Sequence, residues 1–78
     1  MKYYIVKRVG GRFIKNPLLQ SQYYNLKSYL TEDKRKANRY LDFNSAIQDG
    51  KKLFEYFPFD VIYYEDNKQM EVTCIWNV

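Results

Sequence analysis

Residues 34–40 read Lys-Arg-Lys-Ala-Asn-Arg-Tyr, so four cations fall within six positions. The chemistry open to them is binding: such cations beside a tyrosine can pair with phosphates, stack on bases or contact an acidic protein surface. We predict that this run contacts a partner through Lys34, Arg35, Lys36, Arg39 and Tyr40. The alternative interpretation is a solvated helix face on a basic protein.

A second group of cations lies near the amino end, at Lys7, Arg8, Arg12 and Lys15. We include Arg8 and Arg12 in the predicted contact surface. If both groups lay on one face, they would form a continuous basic stripe. The sequence leaves that question open.

The charge is distributed unevenly along the chain. Residues 1–41 hold ten cations and two acids, and residues 42–78 hold three cations and seven acids, so the halves carry +8 and −4. Asymmetry of this size indicates a polyanionic or acidic partner for the first half.

Catalysis is not expected. The chain has no His, and its single cysteine, Cys74, lies mid-strand with no adjacent cation, so we interpret it as a small buried apolar residue. The adjacent acids Glu32-Asp33 and Glu65-Asp66 flank predicted turns and are expected to be solvated. No phosphate-binding loop or metal-ligand spacing is present. We therefore expect neither an enzyme nor a cofactor or metal site.

Three pairs of adjacent tyrosines stand out, at 3–4, 23–24 and 63–64. Because successive side chains of a strand point to opposite faces, we expect one tyrosine of each pair to face away from the core. An exposed tyrosine is favoured at protein interfaces. The alternative is that it simply covers sheet surface.

The first part of the chain predicts a hairpin. Residues 2–9 and 12–15 have strand composition, and a two-residue Gly10-Gly11 turn would place Lys7 opposite Ile14 and Arg8 opposite Phe13. Pro17 would end the second strand. We expect a third strand around residues 23–29. One or two helical turns are predicted over 32–39, capped by Thr31.

The second part predicts a helix over 43–57. Asp42 can cap it, its apolar residues recur at intervals of three and four, and Pro58 would end it. Gly50 lies within the apolar stripe, where the sheet can approach closely. Strands are predicted at Phe59–Glu65 and at residues 69–76, joined by a turn at 66–68. The expected fold is α+β, in the order β-β-(β)-α-β-β: one antiparallel sheet of four to five strands with one main helix on one face.

A length of 78 residues indicates one domain, residues 1–78, and no internal disulfide can form with one cysteine. The apolar stretch at residues 3–6 is too short for a signal peptide core or a membrane span. A free cysteine and the absence of a targeting segment fit a reducing cytoplasm, so we expect a cytoplasmic protein.

The chain is short, rich in Tyr, Lys and Asn, and has two alanines. In size and composition it resembles the small orphan proteins of bacteriophages and mobile elements, which include anti-CRISPR and other host-inhibiting proteins. The resemblance covers the whole chain, rests on no motif and carries over no functional residue. It implies tight, stoichiometric binding to a nucleic-acid machine of a bacterial host, in whose cytoplasm the protein would act.

Three functional hypotheses remain. The first is a non-enzymatic inhibitor or adaptor that occupies an acidic or nucleic-acid-binding surface of a host protein. The second is a module that binds nucleic acid directly through the same cations. The third is a structural homo-oligomer, at its simplest a homodimer, that uses exposed tyrosines as its interface.

Overall fold

The computed structural model describes residues 1–15 and 29–76. Five strands lie within these residues: β1 (Lys2–Arg8), β2 (Phe13–Ile14), β3 (Leu30–Thr31), β4 (Phe59–Glu65) and β5 (Lys68–Ile75). They form one antiparallel sheet in the order β3-β2-β1-β4-β5, which confirms the predicted α+β fold. One α-helix, α1 (Phe43–Leu53), and one 3₁₀ turn (Lys34–Lys36) complete the described elements. None of the described helices is long and apolar enough to cross a membrane.

The central strands β1 and β4 bury side chains on both faces. Val6 pairs with Val61 and packs against α1, on what we call the helix face. Ile5 pairs with Ile62 and packs in a second cluster, on the opposite face. Strands buried on both sides read as nearly continuous apolar runs, which is why neither β1 nor β4 shows a clean alternation of apolar and polar residues.

The hairpin between β1 and β2 has a different register from the predicted one. Lys7 lies opposite Phe13, and the connection has three residues, 9–11, of which only Gly10 has a positive φ (72°). The predicted two-residue Gly-Gly turn is therefore wrong. The observed register puts Ile14 on the helix face, where it is fully buried beside Val6; a shift of one residue would turn it to the other face.

The segment after β3 makes one helical turn inside the predicted range. Its cap is Asp33, whose carboxylate accepts the Arg35 N–H at 2.9 Å; Thr31 instead accepts the Asp33 N–H through Oγ1 at 3.1 Å. The chain then runs beside β1, where Tyr4 and Tyr40 exchange two backbone hydrogen bonds of 2.7 and 2.8 Å. The strand predicted around 23–29 lies, except for its last residue, outside the described residues, as does Pro17.

Helix α1 begins where the sequence predicts and ends earlier. Asp42 Oδ2 accepts the Ser45 N–H at 3.3 Å, as expected of a cap. The helix stops at Leu53, so its predicted extension to residue 57 and its termination by Pro58 are wrong. Phe54 is the C-cap and Tyr56 has a left-handed φ of 69°. Because β4 already begins at residue 59, a helix to residue 57 would leave one residue to reverse the chain, and residues 54–58 make that connection.

Gly50 brings α1 onto the sheet, as predicted. A Cβ placed on Gly50 would lie 2.6 Å from Cζ and 2.7 Å from Cδ2 of Phe59, which is fully buried. The helix and sheet can approach this closely only because Gly50 has no side chain.

The hairpin from β4 to β5 confirms the predicted strand Phe59–Glu65, and its second strand, β5, begins earlier than predicted. Asp66 and Asn67 both have positive φ, 52° and 65°, as in two-residue hairpin turns. Lys68 therefore pairs with Glu65 and already belongs to β5, one residue earlier than predicted.

Candidate binding surface

Four of the predicted contact residues form one cluster, which we call the basic patch: Lys34, Arg35, Lys36 and Arg39. The 3₁₀ turn carries the first three, and all four are exposed. The buried Ala37 (7% exposed) packs in the cluster on the opposite face of the sheet and anchors the segment there. The patch is therefore held on the face away from α1.

Two patch cations lie over tyrosine rings of the central strands. The Nζ of Lys34 is 4.4 Å from the ring centroid of Tyr64, and the Cζ of Arg39 is 4.4 Å from that of Tyr3. Tyr3 and Tyr64 are paired across β1 and β4, and their rings stack with centroids 5.3 Å apart and planes 5° apart. Cation–π contacts of this kind orient both charges relative to the sheet.

The patch borders a shallow depression of about 240 Å³ on this face. Its lining is three cations, two tyrosines, one aliphatic residue and one amide: Lys34, Arg35, Arg39, Tyr3, Tyr64, Ile5 and Asn67. Tyr3 and Tyr64 as whole residues are only 6% and 2% exposed. They support the cations and do not offer free stacking surfaces, so the chemistry presented to a partner is positive charge.

Arg35 has a carboxylate beside it. Its Nε lies 3.3 Å from Oδ1 of Asp33, and the side chain of Arg35 is 90% exposed. The hydrogen bonds from the Arg35 side chain and N–H hold the pKa of Asp33 below its usual value, and the same carboxylate raises the pKa of Arg35. An exposed pair of this kind is weak, so an acidic partner can compete for the guanidinium.

Tyr40, also predicted to contact a partner, belongs to the core. It is 6% exposed on the helix face, and its hydroxyl donates a 2.6 Å hydrogen bond to Oδ2 of Asp49 on α1. Burial, then the hydrogen bond to Asp49, raises the pKa of Tyr40 far above that of a free tyrosine. The residue follows Arg39 in an extended segment, so their side chains point to opposite faces; adjacency in sequence was misleading.

Arg8 and Arg12 do not join the basic patch. Arg8 pairs with Phe59 across β1 and β4, on the helix face, and its guanidinium lies 3.9 Å from the ring centroid of Phe57. Arg12 forms an exposed ion pair of 3.5 Å with Glu32. The sheet separates Arg8 from the patch, whereas Lys7 lies on the face of the patch, with its Nζ 5.9 Å from the ring centroid of Phe13. The second group of cations is therefore divided between the two faces of the sheet.

The two described tyrosine pairs differ from the expectation. Tyr3 and Tyr64 are buried on the opposite face, while Tyr4 and Tyr63 are half-buried and their ring centroids lie 5.0 Å apart. Neither pair exposes one of its members, because both faces of the sheet are packed there. The pair at 23–24 lies outside the described residues.

Strand β5, at the sheet edge beyond β4, presents apolar side chains that sequence analysis did not assign to a surface. Val72 pairs with the buried Ile62 on the opposite face and is 47% exposed; Met70 is 56% and Trp76 76% exposed. Cys74 is exposed too, so its predicted burial is wrong. Its pKa is raised, first by partial loss of solvation and then by the carboxylate of Asp60 across the strand pair.

Comparison with known proteins gives no guide to this surface. The chain matches no protein-family model, and neither a curated protein nor a solved structure is significantly similar to it.

Proposed function

We propose that the protein is a non-enzymatic binding protein of phage or mobile-element type that acts in the cytoplasm of a bacterial host. It would inhibit or modulate a host nucleic-acid-processing or defence protein by occupying an acidic or nucleic-acid-binding surface of that protein. The observation that supports this most is the placement of Lys34 and Arg39 over Tyr64 and Tyr3, which holds two cations of an exposed patch in fixed positions.

Fixed cations suit a tight complex better than free ones. A long basic side chain loses rotamer freedom when it binds, and that loss costs about 0.5–1.5 kcal/mol per side chain at an interface. Packing on Tyr3 and Tyr64 reduces the loss in advance for Lys34 and Arg39.

A protein partner is favoured by the apolar residues on the same face. Val72 is half exposed there, and β5 also leaves Met70 and Trp76 exposed. Interfaces between proteins are enriched in Trp, Met and Arg, with an apolar centre and a charged rim. The face that carries the basic patch therefore offers an apolar residue, Val72, as well as positive charge.

Direct nucleic-acid binding is the second candidate, and the exposed cations of the patch favour it. The buried rings of Tyr3 and Tyr64 cannot stack on bases, so binding would rest on phosphate contacts. Four patch cations on duplex DNA predict that log K falls with log salt at a slope of about −3.6.

The test is to capture a host protein from bacterial lysate on the immobilised protein. The captured host protein is then purified, and its binding is measured again in isolation. The variant lacks the patch (Lys34→Ala, Arg35→Ala, Lys36→Ala and Arg39→Ala), and the control lacks exposed cations elsewhere (Lys51→Ala, Lys52→Ala and Lys68→Ala). The proposal requires a protein that the parent and control capture and the patch variant does not. A fluorescence anisotropy titration with duplex DNA tests the second candidate. If the parent binds DNA saturably with the predicted salt slope and the patch variant does not bind, direct nucleic-acid binding would replace the proposed function.

A further inference from the structure

On the helix face, the end of α1 and the β1–β2 hairpin enclose a cleft of about 390 Å³, which we call the arginine cleft. Its lining among the described residues is Arg8, Gly11, Arg12, Leu30, Leu53, Phe54 and Phe57. The volume lies in the range of small-molecule sites. The sheet separates Arg8 from the basic patch, so the proposed function leaves this cleft unused.

The cleft combines apolar side chains with positively charged ones. Leu30, Leu53 and Phe57 supply partly accessible apolar surface, and Phe57 is 46% exposed. The charged groups that line it are Arg8 and Arg12. The backbone brings the two close, because the Arg8 N–H donates to the Arg12 carbonyl at 3.0 Å.

Arg8 is arranged so that it can bind an anion. Its guanidinium carbon lies 3.9 Å from the ring centroid of Phe57. A guanidinium over a ring keeps its in-plane N–H groups at the edge, where they can bind a carboxylate in bidentate fashion. No ion pair of Arg8 with a carboxylate occurs within residues 1–15 and 29–76.

Two further features fit this role. Gly11 leaves room for the stem of Arg8, since a Cβ at Gly11 would lie 3.1 Å from both Cβ and Cδ of Arg8. The Arg12–Glu32 pair is weak, because its side chains are 50% and 81% exposed, and a ligand carboxylate can displace Glu32.

We propose that the arginine cleft binds a small organic acid with a compact apolar body, such as an aryl or short acyl carboxylate. The apolar body would lie against Leu30, Leu53 and Phe57, and the carboxylate would pair with Arg8 and Arg12 at the rim. The cleft is large enough for one ring together with a short alkyl chain. This site is independent of the basic patch, so either proposal can fail without the other.

The experiment compares 4-phenylbutyrate with 4-phenylbutanol, which shares the apolar body and lacks the charge. Amide chemical shifts of the ¹⁵N-labelled protein are followed during each titration. We expect saturable shifts centred on Gly11, Arg12, Leu30 and Phe57, with a Kd on the order of 1 mM for the acid and about tenfold weaker binding of the alcohol.

Three variants assign the effect to the cleft. Arg8→Gln with Arg12→Gln should remove the preference for the acid, and Gly11→Ala, which pushes against the stem of Arg8, should weaken acid binding. Lys51→Gln with Lys52→Gln, which removes two exposed cations of α1 outside the lining, should bind the acid like the parent.

Three results of the titrations would overturn the proposal. They are equal affinity for the acid and the alcohol, no saturation at about ten times the expected Kd, and equal losses of affinity in the cleft and control variants. A purely structural role for Arg8 would lower the melting temperature of the double variant and leave its acid preference intact, and that result would overturn the proposal too.

Discussion

The guanidinium of Arg39 lies 4.4 Å from the ring centroid of Tyr3, although the two residues are 36 positions apart in the chain. The contact exists because residues 37–40 run beside β1, where Tyr40 pairs with Tyr4 and turns the neighbouring Arg39 to the opposite face. A charge that could extend freely into solvent is thereby packed on a ring. The same packing makes Arg39 part of the fold as well as part of the basic patch.

The contact between Arg39 and Tyr3 predicts that substitutions of different patch residues change the stability of the fold by different amounts. Arg39→Ala should lower the free energy of unfolding by about 0.5–1 kcal/mol, the value of an exposed cation–π contact. Lys36→Ala is the matched control and should change it by less than about 0.5 kcal/mol, as surface charges usually do. Urea denaturation of the two variants and the parent measures the difference. Equal stability of all three would show that the Arg39–Tyr3 contact contributes nothing.

The close approach of Gly50 to Phe59 allows a steric test of how α1 packs on the sheet. Gly50→Ala should raise helix propensity by about 1 kcal/mol, but the new methyl group would overlap the ring of Phe59. Overpacking of this kind costs about 1–3 kcal/mol, so we expect net destabilisation. Phe59→Leu should remove part of that cost, so the double variant should be more stable than the sum of the single changes predicts. Thermal melts of the three variants test this, and a higher melting temperature for Gly50→Ala alone would contradict the observed docking.

Tyr40 predicts a loss of stability at alkaline pH. Burial and the hydrogen bond to Asp49 raise the pKa of Tyr40, so its hydroxyl stays protonated in the folded chain after the unfolded chain begins to ionise at about pH 10. Its contribution to stability is complete below that pH and falls as the pH rises beyond it. Tyr40→Phe should lose about 1 kcal/mol at pH 7 through the missing hydrogen bond and show a shallower decline above pH 10. Urea unfolding at pH 7 and above pH 10 checks both effects, and equal slopes would mean that Tyr40 titrates normally.

Cys74 predicts an accessible but weakly nucleophilic thiol. The side chain is exposed, yet partial desolvation and Asp60 raise its pKa, so less of the reactive thiolate is present at neutral pH. Asp60→Asn should speed iodoacetamide labelling and move the pH–rate curve to lower pH. Glu71→Gln, an exposed acid on the same strand, is the control and should leave the rate unchanged. Labelling that is equally fast in the parent and in Asp60→Asn would rule out this effect of Asp60.

The sequence predicted the elements whose signals are local. The β4 strand Phe59–Glu65 was predicted with its observed bounds because a β-rich run lies between Pro58 and an Asp-Asn turn. The start of α1 was predicted because Asp42 has a short side-chain carboxylate that can cap the first turn, and it accepts the Ser45 N–H. The end of α1 was not predicted correctly. The helix stops where the chain must turn to reach β4, and this happens before Pro58.

The parts that failed depend on contacts between distant segments. The register of the first hairpin is set by burial of Ile14 beside Val6, which two adjacent glycines do not reveal. The four basic-patch residues were chosen by their charge alone; the structure shows that they are exposed, and their contact with a partner stays a prediction. That Tyr40 belongs to the core follows from its packing against α1, which no pattern of neighbouring residues indicates.

The central claim is that the basic patch binds an acidic surface of a host protein. The most direct measurement is the Kd of the purified partner for the parent, for the fourfold patch variant and for the Lys51→Ala, Lys52→Ala and Lys68→Ala control. Truncated contact arginines often cost about 2 kcal/mol or more, so the patch variant should bind at least about tenfold more weakly while the control stays close to the parent. Circular dichroism must show that all three are folded. A folded patch variant that binds its partner as tightly as the parent would contradict the account.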